Sequence, residues 1–380
     1  MPVTSSSARS FERRPPAPPA PPGRRKFLER LLGLAAFLPG AATLITACRK
    51  KRPGPPAGSA ELGPIEPELN IYNWSDYIAP EIIPAFEREF GVRVTYDTFE
   101  SSEEMVAKLQ AGARGYDLVV PPTYALAALR ATGLIAPLSP GYLSNRANLA
   151  PLFRGLAHDS DDRYTVPWQW GMTGIAWRTD RIGEIPESWA VFLEPRYRGK
   201  LTMLDDLRDV IGAFLRYRGH SLNSTNPVEL EQARRDAVAA KANLKAYLSA
   251  PVKAQLIAGD VWLAQLWNGD AAQAAREQPA ISWVLPREGG TLWIDSLVVP
   301  ASAPHPRAAH EFINFILRPE IGAAISRATG YGTPNQAAMP LLAKPVPYPS
   351  PDELARLEIQ EDLGRASGVW DEIWTRIKNA

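Results

Sequence analysis

The residues best suited to chemistry in this 380-residue chain are tryptophans, tyrosines and aspartates standing at the ends of apolar runs. Trp74, Ser75, Asp76 and Tyr77 close the run "ELNIYNW", and Thr123 and Tyr124 follow "YDLVVP". Asp205, Asp206 and Asp209 follow "LTML", Trp267 ends "VWLAQLW", and Trp293 and Asp295 fall within "LWIDSL". Aromatic faces attract ammonium groups by about 0.5 to 2 kcal/mol each and also cover methylenes. Carboxylates add charge-assisted hydrogen bonds of roughly 1.5 to 3 kcal/mol. Together they suit an organic cation with apolar stretches, and a linear polyamine meets that description.

Other chemistries find less support. Asp205-Asp206-Leu207-Arg208-Asp209 also fits a DDxxD magnesium-diphosphate pattern, which makes a metal-dependent enzyme the alternative of a different class. Enzymes of that kind are all-helical and carry a second metal motif, and the chain has no such motif. His158, His220, His305 and His310 lack the i, i+4 spacing of metal ligands, and the one cysteine is remote from them. Nucleophile-elbow, Walker and dinucleotide-glycine patterns are missing from the sequence, so no catalytic residue, cofactor or metal is expected. Lys and Arg number 42 against 41 Asp and Glu, a balance that leaves no field for nucleic acid. A ferric-ion receptor would need clustered tyrosines, for which only Tyr77, Tyr124 and Tyr331 are candidates.

The elements that position these residues read as α/β. "ELNIYNW", "VRVTYDTF" and "YDLVVP" are strands. They alternate with helices over Ala79 to Phe90, after a capping box of Ser101 and Glu104, and over "TYALAALRATG". The same grammar returns in "TVPWQWGMTGIAW", "GKLTMLDD", "WLAQLWNGD" and "ISWVLP", with helices over Asp209 to Tyr217 and Val228 to Tyr247. Two α/β lobes follow, and in such sheets the ligand crevice lies beyond the carboxyl ends of the strands.

Before the globular part, Gly23 to Cys48 places paired arginines ahead of an apolar run that ends at the cysteine. This is the order of an export signal; "RRKFL" resembles the twin-arginine type, and Ile45-Thr46-Ala47-Cys48 resembles a bacterial lipobox. Residues 1–48, including a proline-rich extension, are expected to be signal. Cys48 is the expected lipidated anchor, and 49–67 a flexible tether.

From about Leu69 to the C-terminus the chain resembles the extracytoplasmic spermidine/putrescine-binding proteins of bacterial ABC transporters. The stretches that carry the likeness are "YNWSDYIAP", "YDLVVP", "LDDLRDV", "LWNGDA", "EGGTLWIDSLVVP", "GYGTPN" and "IQEDLG". The resemblance implies a type II periplasmic-binding-protein fold with the ligand cleft between two lobes, 68–165 plus 294–330 and 166–293 plus 331–380. It implies a non-enzymatic monomer that delivers a polyamine to a membrane permease. Carried over by position, it assigns ligand contact to Trp74, Ser75, Asp76, Tyr77, Tyr124, Asp206, Asp209, Trp267, Trp293 and Asp295. It adds Tyr331 and Gln360, which the strand-end pattern does not pick out. Pro122 stands where spermidine-type members carry serine, and Asp76 and Asp209 where some relatives carry glutamate. "WSDYIAP" is similar to the putrescine branch, while "WIDSL", "GYGTPN" and "IQED" favour spermidine.

Overall fold

The structure is a computed structural model that describes residues 62–184, 186–249, 251–343 and 349–380. The expected signal, Cys48 and tether residues 49–61 lie outside the described residues.

Strand β1 (Glu68–Trp74) buries Leu69, Ile71, Tyr72 and Asn73, so both of its faces are covered. Such a strand belongs at the centre of a parallel sheet. It pairs in parallel with β2 (Arg93–Phe99) on one side and β3 (Leu118–Val119) on the other. Between β1 and β2 runs α1 (Ile82–Phe90), whose buried Ile82 and Phe86 lie one turn apart and whose end is Gly91 at φ 69°. The helix starts at Ile82, three residues after the expected Ala79, because residues 79–81 form a turn. Helix α2 (Ser102–Gln110) is capped by the Ser101 hydroxyl, which accepts from the Glu104 amide at 3.2 Å. The reciprocal arm of the expected box reaches past Ser101, since the Glu104 carboxylate accepts from the Glu100 amide at 3.2 Å. Helix α3 (Thr123–Ala131) follows β3.

The second sheet is built from β4 (Val166–Arg178), β5 (Leu201–Met203), β6 (Leu244–Tyr247), β7 (Leu263–Trp267), β8 (Ile281–Val284), β9 (Thr291–Leu297) and β10 (Glu358–Ile359). Its order is β10-β9-β4-β7-β5-β6, with β8 also on β4. All thirteen residues of β4 are buried. Its first half pairs antiparallel with β9, and its second half with β7 and β8. It therefore joins the two halves of this sheet.

Helices α4 (Leu207–Tyr217), α5 (Pro227–Lys241), α6 (Val252–Ala258), α7 (Asn268–Glu277), α8 (Pro306–Ile316), α9 (Pro319–Thr329), α10 (Pro351–Arg356) and α11 (Ser367–Asn379) complete the α-helices among the described residues. The expected single helix from Val228 to Tyr247 is corrected: α5 ends at Lys241, and Leu244–Tyr247 forms β6 alongside β5. One core packs β1 and α1 against α8, with Phe86 edge-on to Phe312 at 5.1 Å. Another packs α4 and α5 against α11 around Phe214 and Trp370. Each such fully buried ring stabilises the fold by about 1.5 to 3 kcal/mol. Among the described residues no helix is long and apolar enough to cross a membrane.

Candidate functional site

The strand ends converge on one cavity, open to solvent, with about 660 Å³ of empty space. The turn after β1 supplies Trp74, Ser75 and Tyr77; the end of β2 supplies Phe99 and Glu100; Pro122 and Tyr124 follow β3. From the other side come Asp206 and Asp209 after β5, Trp267 and Asp270 after β7, and Trp293 and Asp295 on β9. Ser102, Tyr331 and Gln360 complete the lining. Eleven of the twelve residues anticipated from sequence are brought together here.

Asp76 is the exception. Its backbone is left-handed at φ 53°, a conformation that aspartate tolerates better than most residues. The side chain lies outside the lining, 68% exposed, with Oδ2 accepting from Lys253 Nζ at 2.7 Å. Asp205 also turns away and pairs with Lys378 at 2.7 Å. The three aspartates of the DDxxD pattern thus do not converge, and among the described residues no group of three or more His, Cys, Asp or Glu side chains could hold a metal ion.

Four carboxylates are buried in the walls: Asp206, Asp209, Asp270 and Asp295, each 5 to 8% exposed. Asp206 caps α4, accepting the amides of Arg208 and Asp209 at 2.9 and 3.0 Å and the Ser102 hydroxyl at 3.2 Å. Asp209 accepts from the Thr291 hydroxyl at 2.9 Å and from Gln360 Nε2 and Trp267 Nε1 at 3.3 Å each. The Tyr77 hydroxyl donates to Asp295 at 2.9 Å, and that of Tyr331 to Asp270 at 2.8 Å.

Burial raises the pKa of all four acids. Asp209 is pushed up to about 7, first by burial and then by the charge of Asp206. Asp295 also rises to about 7 by burial, against the hydrogen bond from Tyr77. The hydroxyls of Tyr77 and Tyr331 are driven well above their ordinary range by burial and the neighbouring carboxylates, so they remain donors. The lining contains no lysine or arginine. The adjacent Arg208 guanidinium is engaged with the Glu361 carbonyl and Asn223, and it lies 5.2 Å from the Tyr124 ring centre.

Aromatic rings make the remaining walls. Trp74 packs between Phe99 at 4.5 Å and Trp267 at 5.7 Å; Tyr331 meets Trp293 at 5.1 Å and Tyr77 at 5.3 Å. Two glycines make this packing possible. A Cβ on Gly269 would lie 2.2 Å from the Tyr331 ring, and one on Gly171 would lie 2.4 Å from the Trp293 ring.

Sequence reasoning missed Asp270, Glu100, Phe99 and Ser102 as lining residues. Asp270 is in the first turn after β7 and Glu100 directly follows β2, so the strand-end rule pointed to both. Two of the histidines are engaged within the fold: His310 Nε2 accepts from the Ser139 amide at 2.9 Å, and His305 Nδ1 lies 3.0 Å from buried Asp117.

The bacterial extracellular solute-binding protein family matches residues 81–349. The spermidine/putrescine-binding periplasmic protein of Escherichia coli K12 is 37% identical over 317 residues, covering 82% of this chain and 91% of the relative. The putrescine/cadaverine-binding protein of Pseudomonas aeruginosa PAO1 is 32% identical over 341 residues, covering 85% and 96%. The crystal structure of the spermidine/putrescine ABC transporter substrate-binding protein PotD from Streptococcus pneumoniae superposes with a TM-score of 0.69 at 30% identity, covering 83% of this chain and 99% of that one. With its mixed α/β fold and a cleft lined from both sides, this chain belongs to the family of bacterial extracellular solute-binding proteins and shares the two-lobed fold of its structural neighbours.

Proposed function

We propose that the chain captures a linear polyamine outside the cytoplasm and delivers it to the membrane permease of an ABC transporter, without catalysing a reaction. One observation carries this reading: four buried carboxylates face a cavity whose lining supplies no cation. Leaving such charges unpaired is costly, so an entering ammonium gains more here than in water. Three ammonium contacts of this kind, less the cost of ordering the ligand, reach about −8 kcal/mol, which corresponds to micromolar affinity. The names of the relatives point the same way.

The order of the acids along the cavity supports spermidine over putrescine in this reading. Asp295 feels the charges of Asp209 and Asp206, whereas Asp270 feels Lys253 and Asp76. The acids thus form three stations: Asp206 with Asp209, then Asp295, then Asp270. Spermidine has three amines to place on them, and putrescine two. Trp293 covers the methylene chain, with Trp74, Trp267 and Tyr124 as further faces. Ser75 and Gln360 complete the polar lining, and Tyr77 and Tyr331 hold the acids. In this reading the lobes are 68–165 plus 294–330 and 166–293 plus 331–380, closing about β4 and β9 as a monomer. Lipid attachment at Cys48 tethers the protein to the membrane.

A thermal-shift panel of putrescine, cadaverine, spermidine and spermine, with glutamate as control, tests the reading. Spermidine should raise the unfolding temperature most. Stabilisation by glutamate with none from any polyamine would end it.

A further inference from the structure

Asp76 and Lys253 meet beside the cavity, outside its lining. Asp76 belongs to the turn after β1, and Lys253 to the first turn of α6, beyond β6 in the second sheet. Their 2.7 Å ion pair spans 177 residues of sequence. Lys253 is the better buried partner, with 16% of its side chain exposed, and its Nζ also donates to Gln273 Oε1 at 2.9 Å. Gln273 in turn donates to the Thr329 carbonyl at 2.7 Å and lies 3.5 Å from Asp270 Oδ1. The ammonium is therefore held from both sides, just behind the last carboxylate of the cavity.

We propose that Asp76 and Lys253 form a latch that fastens the closed cleft, and that Asp76 contacts no amine of the ligand. This rests on the polyamine reading above for its binding readout. A protein ammonium already neutralises Asp76, and the left-handed turn at that residue carries its carboxylate out of the lining while Tyr77 points in. The ligand's amines then end at Asp270. Length selection is set by the three stations inside, with Lys253 closing the far end. The latch adds the same increment for every ligand that permits closure, because it touches the protein alone. A shared increment raises affinity without changing selectivity.

The alternative, a carboxylate that meets the terminal amine directly, predicts opposite signs for the two partners. Asp76→Asn would weaken binding, while Lys253→Met would free Asp76 and tighten it, most of all for the longest amine. The latch predicts equal signs.

The test is a double-mutant cycle by calorimetry with putrescine, spermidine and spermine on wild type, Asp76→Asn, Lys253→Met and the double variant. The charge exchange Asp76→Lys with Lys253→Asp is added as a rescue. A half-exposed pair of this kind should be worth roughly 3- to 5-fold in Kd. Each single variant should lose that factor for all three ligands, the double variant should lose no more, and the exchange should recover most of it. Opposite signs in the two single variants, or no change in any, would overturn the latch.

Small-angle scattering of the ligand-free chains separates this outcome from the polyamine reading. If no polyamine binds the wild type, the proposed ligand is wrong. Because the pair shifts part of the ligand-free population to the closed form, the latch is then supported by a larger radius of gyration in both single variants than in wild type with recovery in the charge exchange, and overturned by equal values.

Discussion

Asp295→Asn should weaken spermidine binding by at least about 30-fold, the equivalent of about 2 kcal/mol, while leaving the empty protein as stable as before or more so. The two signs differ because the carboxylate serves the ligand and not the fold. Asp295 is 8% exposed, and burial opposes its ionised form. An amide of the same shape still accepts the Tyr77 hydroxyl, which now donates to Asp295 Oδ2 at 2.9 Å. Substitution thus removes a buried charge while the Tyr77 hydroxyl keeps its acceptor. Its folded pKa of about 7 exceeds the ordinary 3.8, so the folded chain holds this proton more tightly than the unfolded chain between those values. The stability this contributes is complete below the unfolded pKa and is lost as pH rises through 7. The variant lacks that loss, and melting curves at pH 8 should show it at or above the wild-type midpoint. A large drop in melting temperature would instead mark Asp295 as a structural residue.

The second large effect is on pH dependence. Asp209 and Asp295 both titrate at about 7 in the empty cavity, so each is about half protonated at pH 7. Primary amines resemble lysine, with a pKa of about 10.4, and remain charged throughout this range. Ammonium groups bind the ionised carboxylates, so the ligand must displace protons at lower pH. Affinity should be flat above about pH 8 and fall by more than about tenfold per unit below pH 6, with about one proton released per spermidine at pH 7. Calorimetry in two buffers of different ionisation enthalpy counts those protons. A constant affinity from pH 5.5 to 8.5 would mean that the ligand does not meet these acids.

Much of this site is legible in the residues because strand ends carry their meaning locally. A strand that stops on aromatics and acids exposes them at the sheet's edge, and the edge is where a two-lobed α/β protein opens. Asp76 shows the limit of that rule. Its type and place match its neighbours, but a single left-handed residue sends its side chain outward. Backbone handedness at one aspartate is not encoded in composition or spacing. The short strand Leu244–Tyr247 was hidden for a related reason. Its four residues continue the helical pattern of α5, and only pairing beside β5 makes them extended. Asp270 was within reach, one turn past Trp267 in a stretch already singled out. The packing of Tyr331 on Gly269 depends on contacts 61 or 62 residues apart in sequence and emerges only in the fold.

In the proposed function the buried acids are completed by the ligand's ammonium groups. Titration calorimetry of the wild-type chain at pH 7.5 with spermidine tests it most directly. A polyamine receptor gives one site per chain with a dissociation constant of about 1 μM or tighter, and putrescine binds less tightly. The absence of heat with every polyamine, together with saturable binding of an anionic or neutral solute, would contradict it.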